Sequence, residues 1–176
     1  FQHFKLIAES VSIDQILYNV PGRTAVDMSV DTTSRLSEIS NIIGIKDATG
    51  DLSVIKELVA KCPEDFLLLT GDDATAIDFL LLGGHGGISV TANVTPRELQ
   101  KAYLAAIAGN TELAKKLNEG LSGLHKNLFI ESNPIPVKWA LHKMGKCESG
   151  IRLPLLELSN ECKTVLENDL KELNLI

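Results

Sequence analysis

The sequence has few of the features by which membrane, nucleic-acid-binding and disulfide-bonded proteins are recognised. Its longest apolar runs, FLLL at 66–69 and FLLLGG at 79–84, are far shorter than the roughly 20 residues that a membrane helix needs. The net charge is −6, and no cluster of lysine or arginine offsets it, which argues against a nucleic-acid surface. The cysteines, Cys62, Cys147 and Cys162, are too few and too scattered for a disulfide framework or a zinc site. We therefore expect a protein of the reducing cytoplasm.

Motifs for metal and nucleotide binding are also missing. There is no HExxH, phosphate loop or CxxC. His3, His125 and His142 show no ligand spacing, and we interpret His85, which lies between glycines, as structural. The sequence therefore does not indicate a metal or a nucleotide.

The chain begins with Phe1 rather than methionine, in a segment that already has the apolar periodicity of a helix. It has no basic start followed by an apolar block, the pattern of a signal peptide. We expect this sequence to be part of a longer protein.

Four short apolar runs predict four β-strands. Helix-like segments separate them, and this alternation is typical of βα units in a parallel sheet. The repeat of roughly 25 residues is close to that of a (β/α)₈ TIM barrel, which has eight such units. We therefore predict an α/β fold with half a TIM barrel at 1–108 and an all-helical extension at 109–176. The predicted strands are QILYNV (15–20), NIIGIKDA (41–48), DFLLLTG (65–71) and GGISVT (86–91).

Lys46 ends the second predicted strand, and its position permits two interpretations. Alternation along a strand would place Ile42, Gly44 and Lys46 on one face, with the glycine leaving space for the lysine stem or a ligand. An amine held in such a site loses hydration and can act as a nucleophile toward a carbonyl substrate. The alternative is an exposed lysine paired with Asp47 or Asp51.

The first predicted strand adds two candidates. Tyr18 would lie at the same depth as Lys46, one strand away, where its hydroxyl could carry protons. Arg23 follows the Pro-Gly turn and could bind a substrate carboxylate with its guanidinium fork. The alternatives are a core tyrosine and a surface salt bridge.

The ends of the third and fourth strands complete the candidate site. Gly71 and Ile88 lie where backbone groups can approach a ligand. Asp72 or Asp73 is better explained as the N-cap of the next helix than as a catalytic residue.

Five segments, in this order and spacing, resemble the dihydrodipicolinate synthase (4-hydroxy-tetrahydrodipicolinate synthase) family over essentially the whole chain. They are YNVPGRT, GIKDATG, GDD, GGHGGISV and NPIPVKWAL. The tyrosine and strand lysine are shared by the wider class I pyruvate aldolases, which include N-acetylneuraminate lyase. Arg23 and the NPIPVKW segment favour the synthase.

The resemblance implies a function and a role for each candidate residue. Lys46 would form an imine with pyruvate and Tyr18 would donate and accept protons. Arg23 would bind the carboxylate of aspartate semialdehyde, Ile88 would contact pyruvate through its backbone, and Gly71 would lie beside the second substrate. The reaction needs no cofactor and leads to lysine and diaminopimelate.

The resemblance also implies that this chain matches the second half of the family's barrel. The first half carries other proton-relay residues, and the full-length family members form homotetramers. We therefore expect this chain to be incomplete and inactive alone. The alternatives are a sister aldolase of the same superfamily, resembling N-acetylneuraminate lyase or acting on a keto-deoxy sugar acid, and a non-catalytic half-barrel.

Overall fold

The computed structural model describes residues 1–176 as two compact units. The first comprises Phe1–Ser89 with Tyr103–Thr111, and the second comprises Val90–Ala102 with Glu112–Ile176. The predicted division into 1–108 and 109–176 remains a proposal about how the chain is organised. None of the ten α-helices is long and apolar enough to cross a membrane.

The first unit contains four parallel strands in the order β1-β2-β3-β4, which confirms the predicted α/β class. The strands are β1 (Gln15–Asn19), β2 (Ile42–Asp47), β3 (Leu67–Thr70) and β4 (Gly86–Gly87). The last strand is much shorter than the predicted GGISVT, because only Gly86 and Gly87 pair with β3 and a 3₁₀ turn follows at Thr91–Asn93.

Helices precede and connect these strands. They are α1 (Gln2–Ser10), α2 (Pro21–Thr24), α3 (Val30–Leu36), α4 (Leu52–Lys61) and α5 (Ala76–Leu81). Asn41 ties the loop between α1 and β1 to the sheet, because its side-chain amide donates to the carbonyls of Ala8 and Val11 at 2.9 and 3.0 Å. Strands and helices bury one apolar core in which Leu17, Ile45 and Leu68 are each at most 3% exposed.

One irregularity in the pairing of β1 with β2 changes which residues share a face. Gln15 pairs with Ile42, but Ile16 pairs with Gly44, so one residue of β2 is passed over. A bulge of this kind reverses the alternation of side chains along the strand. Ile42 therefore packs in the same core as Ile45, and the expectation that it shares the face of Lys46 was wrong.

The second unit is helical. It includes α7 (Thr111–Glu119), α8 (Ser122–Asn127), α9 (Ile135–Lys143) and α10 (Asn160–Glu172), while α6 (Pro96–Ile107) spans the boundary of the two units at Ala102. Gly120 and Leu121 separate α7 from α8. Leu124, Leu128, Leu166 and Leu170 are almost fully buried in the core of this unit.

Candidate active site at the carboxyl ends of the strands

The register of the sheet brings Tyr18 and Lys46 together. The two residues are direct partners in the pairing of β1 with β2, and the Lys46 Nζ lies 4.2 Å from the centroid of the Tyr18 ring. Both side chains leave the sheet on the face opposite the buried Leu17 and Ile45, as alternation along the strands requires. An ammonium over a tyrosine ring is held by attraction to the π electrons. The predicted neighbourhood of Tyr18 and Lys46 is therefore present, while their catalytic roles remain predictions.

Lys46 is not paired with either of the carboxylates that the alternative interpretation named. The Asp47 carboxylate accepts hydrogen bonds from Asn19 and Thr49. The Asp51 carboxylate caps α4 and accepts from the backbone and side chain of Ser53 at 2.8 and 2.7 Å. Those hydrogen bonds lower the pKa of Asp51, the side-chain bond having the larger effect. The half-buried amine is thus left without an acidic neighbour of its own.

Gly71 lies directly against the Lys46 side chain. A Cβ atom at this position would come within 2.6 Å of Lys46 Cε and 2.9 Å of the Ala48 Cβ. The Gly71 amide donates to the Asp47 carbonyl at 2.7 Å, which keeps its backbone in place. The missing side chain of Gly71 is therefore what gives the lysine stem its room.

Gly44 has a different role from the predicted one. A Cβ on Gly44 would collide with the Cβ and the carbonyl oxygen of Leu67, each at 2.7 Å. Glycine is therefore required for the close approach of β2 to β3, whereas the space beside Lys46 comes from Gly71.

Ile88 follows β4, at the same edge of the sheet. Its amide donates to the Thr70 carbonyl at 2.9 Å, and its side chain is 49% exposed. Because the amide already has a partner, a backbone contact between Ile88 and a ligand would have to use the carbonyl oxygen.

Arg23 lies on the short helix α2, immediately after β1. Its amide donates to the Val20 carbonyl at 2.9 Å and its side chain is exposed. The guanidinium makes no ion pair, so the surface salt bridge considered as an alternative is absent. Its predicted role in binding a carboxylate remains a prediction.

A buried polar network behind the site was not predicted. The Asn19 amide donates to Asp47 at 2.9 Å and to Asp27 at 2.8 Å, and its oxygen accepts from the Met28 amide. Asn19 and Asp47 are 3% and 5% exposed. The network joins the ends of β1 and β2 to the loops that follow them. The sequence did contain a signal for this network. Each of the two strands ends in a polar residue, at a position where alternation directs the side chain to the buried face.

Tyr103, on α6, is a second residue that the sequence did not single out. Burial raises the pKa of its phenol, and the nearby carboxylates of Asp73 and Asp72 raise it further. A hydrogen bond with Ser89 has the opposite effect. The Tyr103 ring packs so closely on β4 that a Cβ at Gly87 would lie 2.8 Å from the phenol oxygen.

Asp72 and His85 hold the backbone around the third and fourth strands. Asp72 accepts from the amide and hydroxyl of Thr75 at 3.0 and 2.7 Å, in the turn that leads into α5. The His85 Nδ1 accepts from the Leu68 amide at 3.0 Å, while the His85 amide donates to the Leu68 carbonyl. His85 thus has the expected structural role, whereas the N-cap of α5 is Thr75, and the expectation of Asp72 or Asp73 at that position was wrong.

Comparison with known proteins gives one family throughout. The model of the dihydrodipicolinate synthetase family matches residues 1–173. The chain is 62% identical over 176 residues to 4-hydroxy-tetrahydrodipicolinate synthase of Ruthia magnifica subsp. Calyptogena magnifica, covering all of this chain and 60% of the relative. It is 56% identical over 172 residues to the enzyme of the same description from Pseudomonas aeruginosa, covering 98% of this chain and 59% of that one.

Solved structures agree. The crystal structure of the chloride-inhibited dihydrodipicolinate synthase from Acinetobacter baumannii complexed with pyruvate superposes with a TM-score of 0.96 at 51% identity, over 99% of this chain and 60% of that one. A structure described as the first monomeric dihydrodipicolinate synthase variant has a TM-score of 0.96 at 37% identity, over 99% and 60% of the two chains. The chain thus spans about 60% of the length of the relatives it matches.

Gly71→Ala should move the Lys46 amine away from Tyr18. The added methyl group overlaps Lys46 Cε and the fixed Ala48 Cβ, so the flexible lysine has to yield. We expect the Lys46 Cε protons to lose their ring-current shift in NMR spectra, and the free energy of unfolding to fall by about 1–3 kcal/mol. Gly22→Ala is the matched control, because a Cβ there meets nothing within 4 Å. An unchanged Lys46 signal in Gly71→Ala would contradict this account of the contact.

Tyr103 should make stability fall in alkaline solution. Its pKa is raised in the folded protein, so above the ordinary value of about 10 the unfolded chain releases a proton that the folded chain retains. The free energy of unfolding should therefore decrease as pH rises above about 10, by up to about 1.4 kcal/mol per pH unit. Urea unfolding across this range should show a shallower slope for Tyr103→Phe than for Tyr18→Phe, which alters a half-exposed ring. Equal slopes in the two variants would refute the assignment to Tyr103.

Proposed function

Because the chain belongs to the dihydrodipicolinate synthetase family, we propose that the protein carrying it is a class I, Schiff-base lyase. It condenses pyruvate with aspartate semialdehyde to 4-hydroxy-tetrahydrodipicolinate in lysine and diaminopimelate biosynthesis. The observation that carries the proposal is the Lys46 amine over the Tyr18 ring, at the carboxyl ends of parallel strands, where βα-barrel active sites lie.

Lys46 is the proposed nucleophile. Its amine is half-buried, unpaired with Asp47 or Asp51, and held by Gly71 beside it. In its neutral form the amine adds to the ketone carbon of pyruvate, and the resulting carbinolamine loses water to form an imine. The protonated imine nitrogen then withdraws the electron pair left when a proton departs from the pyruvate methyl group, which gives an enamine. The lysine itself is the electron sink, so the proposed reaction uses no cofactor.

Tyr18 is the proposed proton carrier. Its ring lies 4.2 Å from the amine, and its side chain is 45% exposed on the same face of the sheet. A phenol in this place can give a proton to the departing hydroxyl of the carbinolamine and take one back. The enamine carbon then attacks the aldehyde carbon of the second substrate. The substrate's amine finally attacks the imine carbon, and Lys46 leaves as a free amine.

Three other residues are proposed to contact the substrates. Arg23 is exposed and has no carboxylate partner, so its guanidinium can bind the carboxylate of aspartate semialdehyde. Ile88 can contact pyruvate through its carbonyl oxygen, because its amide is bonded to Thr70. Gly71 lies beside Lys46 and leaves room for the second substrate.

The proposal covers partners and location as well. We propose small-molecule substrates, a homotetramer for the full-length protein, and no nucleic-acid or membrane partner. The three cysteines form no disulfide, which suits the reducing cytoplasm. A sister aldolase remains the second candidate. Both candidate enzymes would use the Lys46–Tyr18 pair to react with pyruvate, so the pair does not distinguish between their second substrates.

Sodium borohydride with pyruvate should attach the reduced pyruvate carbons to Lys46 of the protein that carries this sequence. Reduction traps the imine as a stable secondary amine, which peptide mass spectrometry locates. Lys46→Arg should abolish the adduct, while Lys56→Arg, on the exposed face of α4, should retain it. A folded protein with an unmodified Lys46 peptide would rule out the proposed chemistry.

Arg23→Ala should impair the use of aspartate semialdehyde and leave imine formation with pyruvate intact. If Arg23 binds the carboxylate of aspartate semialdehyde, kcat/KM for this substrate should fall about 10- to 100-fold, the range expected for a charged hydrogen-bonded pair. The borohydride adduct with pyruvate should persist, and Arg97→Ala, which changes another exposed arginine, should have no effect. Turnover of N-acetylmannosamine in preference to aspartate semialdehyde would favour the sister aldolase instead.

A further inference from the structure

The helical unit contains a cleft that the proposed reaction does not use. The cleft has a volume of about 320 Å³ and lies between α9, the segment 149–158 and the start of α10. This volume is at the lower end of the range of about 300–1,000 Å³ that is typical of small-molecule sites. All of its lining residues belong to the second unit.

The apolar part of the cleft is built from the core of this unit. Ile135 and Leu158 are 9% and 3% exposed, and the partly buried Trp139 packs against the same core. Trp139 is the single tryptophan of this sequence, and it faces the cleft. An indole set in an apolar wall provides a flat surface on which a planar ligand can stack.

The polar part of the cleft carries a net positive charge, although the chain as a whole is acidic. Lys138 and Lys163 line it, with Glu157 as the carboxylate among the lining residues. Glu157 lies 3.5 Å from the Lys163 Nζ, but its side chain is 78% exposed, and an ion pair of this kind contributes little. Lys138 makes no ion pair, so its charge is uncompensated at the cleft.

Hydrogen bonds hold the segment that closes one side of the cleft. The His142 Nδ1 lies 3.2 Å from the Cys147 carbonyl, and Cys147 Sγ lies 3.9 Å from the Lys138 carbonyl. These contacts tie the segment after α9 back to the helix. Gly150 then turns the chain with φ of +138°, and no atom lies within 4 Å of the place a Cβ would take. The segment thus passes the cleft without filling it.

From these observations, we propose that the cleft binds a planar organic carboxylate. The ring of the ligand stacks on Trp139 against Ile135 and Leu158, and its carboxylate is bound by the ammonium groups of Lys138 and Lys163. The size of the cleft selects a ligand of one or two rings. Nothing in this proposal depends on Lys46 or on the proposed lyase activity.

Benzoate and benzamide form a matched pair of probes, equal in shape and different in charge. Titration of the protein that carries this sequence, followed by Trp139 fluorescence and by calorimetry, should show saturable binding of benzoate. Benzamide should bind at least about tenfold more weakly, because it lacks the charge that the lysines recognise. Trp139→Phe should remove the fluorescence response.

Three variants test the assignment to this cleft. Lys138→Met and Lys163→Met should each weaken benzoate binding about tenfold, since each keeps an apolar stem and loses the charge. Glu157→Gln should strengthen it, because it removes a negative charge from the lining of the cleft. Lys115→Met, on α7, is the control substitution and should leave the affinity unchanged. Circular dichroism verifies that each variant is folded.

Three results would overturn the proposal. They are the absence of saturable benzoate binding, equal affinities for benzoate and benzamide, and unchanged affinities in folded Lys138→Met and Lys163→Met proteins. Weaker binding in Glu157→Gln would also contradict it, since an anionic ligand should gain from the loss of a carboxylate that lines the cleft.

Discussion

The pairing of β1 with β2 is the constraint on which the candidate site depends. Ile16 pairs with Gly44 although Gln15 pairs with Ile42, so the register advances by one residue at the start of β2. Without that bulge Tyr18 would lie opposite Ile45, and Lys46 would be displaced along the sheet. Because side chains alternate between faces, a slip of one residue changes every neighbour. The bulge is therefore what makes Lys46 and Tyr18 partners.

The two faces of the strand ends divide structural and chemical roles. On the buried face, the Asn19 amide donates a hydrogen bond to Asp47, and Asn19 also forms hydrogen bonds with the loop that follows β1. Leaving either group unpaired would cost about 1–3 kcal/mol, which is a large part of a domain's stability. On the other face, Tyr18 and Lys46 are partly exposed and are held mainly by contact with each other and with Gly71. The buried side fixes the backbone from which Tyr18 and Lys46 project.

The two compact units differ in what they offer a ligand. The first presents the Lys46 amine at the end of β2 and the Arg23 guanidinium on α2, immediately after β1. The second presents a cleft with one apolar and one polar side, lined by a tryptophan and two lysines. Each unit has a hydrophobic core of its own, so its ligand-binding groups are supported by packing within that unit.

Local patterns were enough to predict the strands, the parallel sheet, and Tyr18 beside Lys46. Apolar periodicity and the alternation of side chains along a strand are properties of short segments, so they can be read without the tertiary structure. They also predicted a structural role for His85, but they placed the N-cap of α5 at Asp72 or Asp73 instead of at Thr75. They misassigned Gly44, whose role depends on Leu67 of another strand, and they missed Asn19, Asp47 and Tyr103. They also overestimated the length of β4, in which only Gly86 and Gly87 pair with β3.

What the sequence alone determined was therefore the α/β class, the succession of four parallel strands, and the presence of Tyr18 and Lys46 at the ends of neighbouring strands. The tertiary structure decided the bulge, the contact of Gly71 with Lys46, the buried network and the cleft beside Trp139. Each of these depends on atoms that are brought together from separate elements, and the distance between such atoms is set by packing rather than by any spacing along the chain.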